Sequence, residues 1–146
     1  MLQQDLTNDL KAAMKAHDKI ALDTIRMIKA SLKNAEIAAG HELTADEELQ
    51  VLATEMKQRK DSKAEFEKGG REDLIEKLDA EMAIVEKYLP AQLSRDEISA
   101  IVDETIAEVG ASSKADFGKV MKTLMPKVKG RADGATINAL VKEKLN

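Results

Sequence analysis

Basic side chains are concentrated near the carboxyl end of the sequence, within residues 114–144. This segment holds eight Lys and Arg residues against three Asp and Glu, although the whole chain of 146 residues has a net charge of −4. Ammonium and guanidinium groups bind phosphate oxygens, so a local positive patch can attract a polyanion even on an acidic protein. The candidate phosphate ligands are Lys119, Lys122, Lys127, Lys129 and Arg131.

Two glycines flank the last of these cations. Gly130 and Gly134 stand four residues apart, but the segment does not match a P-loop and no strand is predicted before it. Glycines permit turns with positive φ, and the helix start that follows would expose backbone N–H groups to a phosphate oxygen. Asp133 would compete, because its carboxylate can cap the same helix. The segment is therefore either a plain helix–helix turn or a turn that also contacts phosphate.

A second basic cluster occupies residues 57–63. Its Gln58, Arg59 and Lys60 could dock a partner protein, together with Arg26 from the preceding helix. Glutamates follow the cluster, and ion pairs at a spacing of four residues are typical of a solvated helix face. Both interpretations remain open.

Catalytic chemistry finds little support among the residues. The chain has no Cys, no G-x-S-x-G motif and no Ser paired with His at a recognisable spacing. Its two histidines, His17 and His41, flank predicted helix ends without a zinc-ligand pattern, so we interpret them as loop residues. We expect no catalytic residue, no metal site and no cofactor. Aromatic residues make up only 2% of the chain, which argues against a platform for stacking bases.

Apolar residues recur at helical spacing along nearly the whole chain, which predicts an all-α protein. We predict four helices before Pro90, the fourth over residues 71–89, and three helices after it. A kink or restart is expected at Pro126, because proline removes a backbone donor. Polar residues suited to capping precede most of the helices. They are Asp18, Thr44 with Glu47, Ser94 with Glu97, Ser113 with Asp116, and Asp133.

Pro90 is also the predicted domain boundary. Residues 1–90 would form an N-terminal four-helix domain, and residues 91–146 a small three-helix C-terminal domain. The first ten residues carry Asp5 and Asp9 and lack the apolar core of a secretory signal. No run approaches the roughly 18 apolar residues of a membrane span. The expected location is cytoplasmic, with no membrane partner.

Several ordered motifs resemble the YqeY-like family over essentially the whole chain. The strongest are K-Y-L-P-A-Q-L-S at residues 87–94, G-K-V-M at 118–121 and K-G-R-A-D-G at 129–134. The amino-terminal half adds Arg26 in R-M-I-K-A-S-L-K, Q-R-K-D-S at 58–62 and G-R-E-D-L at 70–74. The resemblance implies an N-terminal helical domain followed by a three-helix domain.

The YqeY-like family is in turn similar to the C-terminal tail of the B subunit of aspartyl/glutamyl-tRNA amidotransferase. In that enzyme, a carbon–nitrogen ligase with glutamine as amide donor, the tail helps to hold the tRNA. The leading hypothesis is therefore an accessory protein that binds tRNA or another structured RNA, not DNA, through its C-terminal unit. About four phosphate contacts would give log K against log salt a slope near −3 to −4.

Two other functions stay open. One is a protein adaptor that docks a tRNA-related complex through its N-terminal helices. The other is a stand-alone glutamine-dependent ligase, which the resemblance suggests. That activity would need a nucleophile and an ATP site, and no motif for either occurs in the sequence.

Overall fold

The computed structural model describes residues 2–145, and its regular secondary structure is helical. Within these residues there are seven α-helices, one short 3-10 turn (Lys114–Asp116) and no strand, which confirms the prediction of an all-α protein. In the same range, no helix combines the length and apolarity that crossing a membrane requires. The helices are α1 (Leu2–Ala16), α2 (Lys19–Ala39), α3 (Ala45–Lys68), α4 (Glu72–Glu86), α5 (Arg95–Val109), α6 (Phe117–Val128) and α7 (Gly134–Lys144).

Local hydrogen bonds determine where three of the helices begin. The Asp18 carboxylate accepts the backbone N–H of Ala21 at 3.1 Å and so caps α2. Thr44 and Ser94 each accept the backbone N–H of the glutamate three residues later, whose carboxylate in turn accepts their own N–H. Both are complete capping boxes, as predicted, because two otherwise unpaired donors are satisfied reciprocally.

Replacing Ser94 with alanine is expected to lower the free energy of unfolding by about 1 kcal/mol. The reason is the loss of the hydroxyl that accepts the Glu97 N–H at 3.1 Å. Ser113→Ala is the matched control, since Ser113 precedes a helical turn but its side chain makes no capping hydrogen bond. The control should change stability by no more than about 0.5 kcal/mol. Urea unfolding measures both variants, and equal losses would contradict the capping role.

Ser113 and Asp116 do not form the predicted capping pair. A 3-10 turn intervenes before α6, and the Asp116 carboxylate accepts the backbone N–H of Ser112 at 3.0 Å instead. This bond holds the pKa of Asp116 below its usual value. The side chain is therefore used to close the turn that precedes the helix.

Two predicted helix boundaries also differ from the structure. Helix α4 ends at Glu86, because the N–H groups of Tyr88 and Leu89 bond to carbonyls three residues earlier and turn the chain. Helix α6 runs through Pro126 to Val128, so of the two predicted alternatives, a kink or a restart, the restart does not occur. Pro126 has no backbone N–H and therefore cannot donate the usual helical hydrogen bond. It lies in the last turn of α6, so the lost bond affects only the end of the helix.

The chain divides into two compact units, residues 1–90 and 91–146. Helices α1 to α4 lie in the first unit and bury a core in which Leu6, Ile28, Leu32 and Val85 are completely excluded from solvent. Helix α3 contributes one fully buried apolar residue, Leu52, to this core, and Val51 and Met56 pack against it at partial burial. Its two other buried residues, Glu55 and Arg59, are charged.

The second unit packs α5, α6 and α7 around a core of its own. Val102, Val120, Leu124 and Val141 are fully buried at its centre, and Leu145 closes it at the carboxyl end. On α6 the buried positions follow one another every four residues, which leaves the opposite side of this helix facing solvent.

A hydrogen bond ties the carboxyl end of the first unit to its first helix. The Tyr88 hydroxyl donates to the Asp9 carboxylate at 2.5 Å. Burial raises the pKa of the Tyr88 hydroxyl well above its ordinary value of 10.0, and the bond to Asp9 raises it further.

This bond predicts a loss of stability at alkaline pH. Because the pKa of Tyr88 is higher in the folded state, its contribution is fully present below pH 10 and is lost as pH rises above it. Tyr88→Phe removes this titration, so the stability difference between the parent and the variant should be constant below about pH 9 and shrink as pH rises above about 10. Chemical unfolding at several pH values measures it, and a difference that does not change with pH would contradict the prediction.

Candidate nucleic-acid interface

Helix α6 presents a row of lysines to solvent on the side opposite its core residues. Val120, Leu124 and Val128 point into the unit, whereas Lys119 and Lys122 are exposed. Lys129 follows the helix seven residues after Lys122, or about two turns, and is exposed as well. We call Lys119, Lys122 and Lys129 the α6 basic face.

No carboxylate interrupts this row within the helix, since Phe117–Val128 contains neither Asp nor Glu. The nearest acidic side chain along the chain is Asp116, whose pKa is lowered mainly by its bond to the Ser112 N–H and also by the charge of Lys119. Gly118 is exposed beside Lys119, and the space where its Cβ would lie is empty. The face is therefore positive and open to a close approach by a large anion.

The turn after α6 is fixed against the segment that precedes α5. Gly130 has a φ of +74°, so this turn uses the left-handed conformation that glycine adopts at little cost. The Leu93 N–H donates to the Arg131 carbonyl at 2.8 Å, and the Gln92 amide donates to the Gly130 carbonyl at 2.9 Å. These two bonds hold the exposed Arg131 in place at the end of the row of lysines.

Arg131 also lies near the start of α5. The pKa of Glu97 is lowered mainly by the backbone N–H of Ser94, and the positive charge of Arg131 lowers it further. One carboxylate is therefore close to Arg131, which weakens its attraction for phosphate but leaves the guanidinium accessible.

Asp133 precedes α7 without capping it. Its backbone is extended, as at an N-cap, but its carboxylate accepts the Thr136 hydroxyl at 3.4 Å and no backbone N–H. The expected capping bond is therefore absent at this helix start. Gly134 is exposed there, yet the charge of Asp133 beside it disfavours a phosphate. Gly134 is the weakest of the sequence-predicted contact residues.

Lys127 does not belong to the exposed row. Its ammonium bonds to the Glu108 carboxylate at 2.6 Å and to the Thr105 hydroxyl at 3.1 Å, both on α5. Helix phase is the reason, since Lys127 is half-buried on the side of α6 that faces α5. We therefore correct the predicted set of RNA contacts by removing Lys127.

Two lysines of α7 also contact side chains of the second unit. Lys144 pairs with Asp103 at 2.8 Å, and the Lys142 ammonium lies 5.9 Å from the centre of the Phe117 ring. Acidic residues of α5 thus neutralise the cations that face them. The expectation that all basic residues gather on one accessible side therefore does not hold for Lys127 and Lys144, which pair with carboxylates of α5. For the α6 basic face and Arg131 it stays a prediction.

The predicted partner-binding residues also differ in their exposure to solvent. Arg26, Gln58 and Lys60 are exposed, but Arg59 is only 5% exposed. Its guanidinium donates to Glu55 at 2.6 Å and to Glu81 of α4 at 3.2 Å. Arg59 cannot contact a partner from this position, so it is removed from the predicted docking surface.

The buried network around Arg59 was missed at the level of sequence. Glu55 is 7% exposed, and its second oxygen accepts the Ser31 hydroxyl of α2 at 2.5 Å. A usable signal exists, because Glu55 and Arg59 continue at helical spacing the buried side that begins with Leu52. Among residues 2–145, no three His, Asp or Glu side chains are grouped so that they could hold a metal ion.

Comparison with known protein families agrees with the motifs. The family model described as "Yqey-like protein" matches residues 3–145 of the chain. The chain belongs to the YqeY-like family.

Fungal relatives of this YqeY-like protein carry the name "Altered inheritance of mitochondria protein 41, mitochondrial". The Kluyveromyces lactis protein is 39% identical over 133 residues, which cover 85% of this chain and 72% of the relative. The Pyrenophora tritici-repentis protein is 37% identical over 133 residues, covering 87% and 71%. A Saccharomyces cerevisiae protein is 30% identical over 129 residues, covering 88% and 68%.

These names contradict the expected cytoplasmic location, because each describes a mitochondrial protein. The expectation depended on Asp5, Asp9 and the lack of an apolar signal core. Those features bear on secretion alone and do not distinguish the other compartments. The assignment of this YqeY-like protein to the cytoplasm is therefore withdrawn.

Proposed function

We propose that this YqeY-like protein binds tRNA or a similarly structured RNA through the α6 basic face and Arg131. The observation that carries the proposal is the row of exposed lysines on a helix without carboxylates. Ammonium groups about one to two helical turns apart can follow the phosphates of one RNA strand. The similarity of the family to the tail of a tRNA-dependent amidotransferase subunit supports tRNA as the class of RNA.

Recognition would use the shape and backbone of the RNA. Phe117 contributes its ring to the core of the second unit and to the contact with Lys142, so it offers no platform for a base. Folded RNA presents closely spaced phosphates and 2′-hydroxyl groups that lysines can contact without reading bases. We expect micromolar or weaker affinity, in the range of other binding that depends mainly on phosphate contacts.

Titration of labelled tRNA at two or more salt concentrations tests the proposal. Four cations in contact with phosphates predict a slope of log K against log salt of about −3 to −4. An unstructured RNA of equal length is the control, and we expect it to bind more weakly than tRNA. No binding at low salt, or a response that does not depend on salt, would overturn the proposal.

We further propose that the two compact units are separate domains, four helices followed by three. Each unit has its own buried core, which supports independent folding. Circular dichroism on residues 91–146 alone tests this, and the absence of a cooperative thermal transition would contradict it.

A protein adaptor is the second candidate function. Gln58 and Lys60 are exposed on α3, which supports a docking role for this helix. Changing Gln58 to Ala and Lys60 to Glu together should abolish capture of a cellular partner and leave tRNA binding unchanged. Undiminished capture would show that these residues form a solvated face only.

A further inference from the structure

A cleft of about 550 Å³ lies between α2 and α3 of the first unit. Helix α2 lines it with Ser31, Ala35 and Ala39, which recur every four residues on one face. These side chains are too short to fill the space in front of α3, so a cleft open to solvent remains between the two helices. The cleft has an apolar part, to which Val51 contributes, and a polar end at Ser31.

The polar end of the cleft is negatively charged. Glu55 lines it beside the amides of Asn34 and Gln58, and neither Lys nor Arg is among the described residues that line the cleft. Behind Glu55, the single guanidinium of Arg59 is shared with a second carboxylate, that of Glu81. Two carboxylates and one guanidinium leave one net negative charge in a largely buried position.

Glu55 retains the capacity to accept further hydrogen bonds. One of its oxygens accepts the Ser31 hydroxyl, and the other accepts the Arg59 guanidinium. An ionised carboxylate offers about four lone-pair sites, so about two remain for a donor that enters the cleft. The amide oxygens of Asn34 and Gln58 are further acceptors at the same end.

We propose that this cleft binds an organic cation, a guanidinium or alkylammonium group at the end of an aliphatic chain. The charged group would bond to Glu55, and the aliphatic chain would lie against Ala35 and Val51. A bare metal ion fits poorly, because the cleft is much larger than an ion and lacks a group of three ligands within the described residues. The cation comes either from a free small molecule or from an Arg or Lys side chain of another protein. This proposal is independent of RNA binding.

Two probes of the same shape test whether the positive charge of the ligand is needed for binding. N-acetyl-arginine amide carries the guanidinium, and N-acetyl-citrulline amide is its neutral isostere. In a titration followed by ¹H–¹⁵N NMR, the arginine probe should shift the side-chain amide signals of Asn34 and Gln58. A dissociation constant of about 1 mM is expected for a ligand of this size. The citrulline probe should cause no such shift.

Variants locate the site. Glu55→Gln removes the charge but keeps the shape, and it should weaken binding of the arginine probe by about tenfold or more. Glu81→Gln lies outside the cleft but also removes the net negative charge, so it should weaken binding to a smaller extent. Glu76→Gln, an exposed change on α4, is the matched control and should leave binding unchanged.

Ala35→Leu keeps the proposal testable if Glu55→Gln fails to fold. This substitution leaves the charged network intact and adds three carbons in the cleft, so it should abolish the shifts. Agmatine and an acetylated Gly-Gly-Arg-Gly-Gly amide then distinguish the sources. Tighter binding of agmatine supports a free small molecule, and tighter binding of the peptide supports a protein side chain. Equal shifts with the citrulline probe, or full binding by Ala35→Leu, would overturn the proposal.

Discussion

Reversing Lys119 and Lys122 together to glutamate is expected to weaken tRNA binding by about 100-fold. Each lysine is assigned one charge-assisted contact with a phosphate, and such a bond contributes about 1.5 kcal/mol. Two lost contacts then amount to about a hundredfold in the dissociation constant. Because the substituted glutamates also repel phosphate, this figure is a lower bound on the expected effect.

The salt dependence should change together with the affinity. Removing two of four phosphate contacts predicts that the slope of log K against log salt falls to about −2. Both lysines are exposed and neither contributes to the core, so the free energy of unfolding should change by no more than about 0.5 kcal/mol. Fluorescence titration and urea unfolding of the same preparation measure these quantities.

The matched control reverses two lysines of the first unit, Lys11 and Lys33. Both are exposed on helices, so this double variant changes the net charge by the same amount. It should leave tRNA affinity within about threefold of the parent. Equal weakening by the two double variants would show that net charge, and not the α6 basic face, determines binding.

Replacing Arg59 with alanine is expected to lower the free energy of unfolding of the first unit by about 3–5 kcal/mol. The substitution leaves the carboxylates of Glu55 and Glu81 without their shared partner in a largely buried position. A buried charge without a partner is costly because the surrounding protein solvates it poorly. A whole domain has a free energy of unfolding of only about 5–15 kcal/mol, so this single substitution should remove a large part of the stability of the first unit.

Two further variants separate charge pairing from packing. Lys60→Ala, the exposed neighbour, should cost no more than about 0.5 kcal/mol. Replacing Glu55, Arg59 and Glu81 together with apolar residues of similar size should restore most of the stability, because no unpaired charge is left. A loss below about 1 kcal/mol in Arg59→Ala would show that the network does not stabilise the fold.

The starts of α2, α3 and α5 were predictable, because their capping bonds join residues close together in sequence. The capping boxes at Thr44 and Ser94 need only a hydroxyl and a glutamate three residues later. The same reasoning failed at Ser113, where a 3-10 turn and a bond from the Ser112 N–H to the Asp116 carboxylate replace the capping box. A capping box and a 3-10 turn are both compatible with the residues at this point. The spacing of Ser113 and Asp116 does not show which of the two is more stable.

The candidate sites were harder to predict because they depend on which charged residues meet across helices. Lys122 and Lys127 both lie on α6 among apolar residues. Lys122 is exposed, whereas Lys127 pairs with Glu108 of α5. Arg59 and Lys60 are adjacent, yet only Arg59 is buried. The α2–α3 cleft had no sequence signal, since it arises from short side chains on one helix that face a separate helix.

The amino-acid sequence by itself determined the all-α character, most helix ends and membership of the YqeY-like family. These follow from apolar periodicity, from hydrogen bonds over three or four residues and from ordered motifs. Only the tertiary structure decided which cations remain exposed, which are neutralised by α5 and where a net negative charge is buried beside a cleft. The physical reason is that Coulomb interactions and burial depend on distances between helices. These distances are set by packing between residues that are far apart in the sequence.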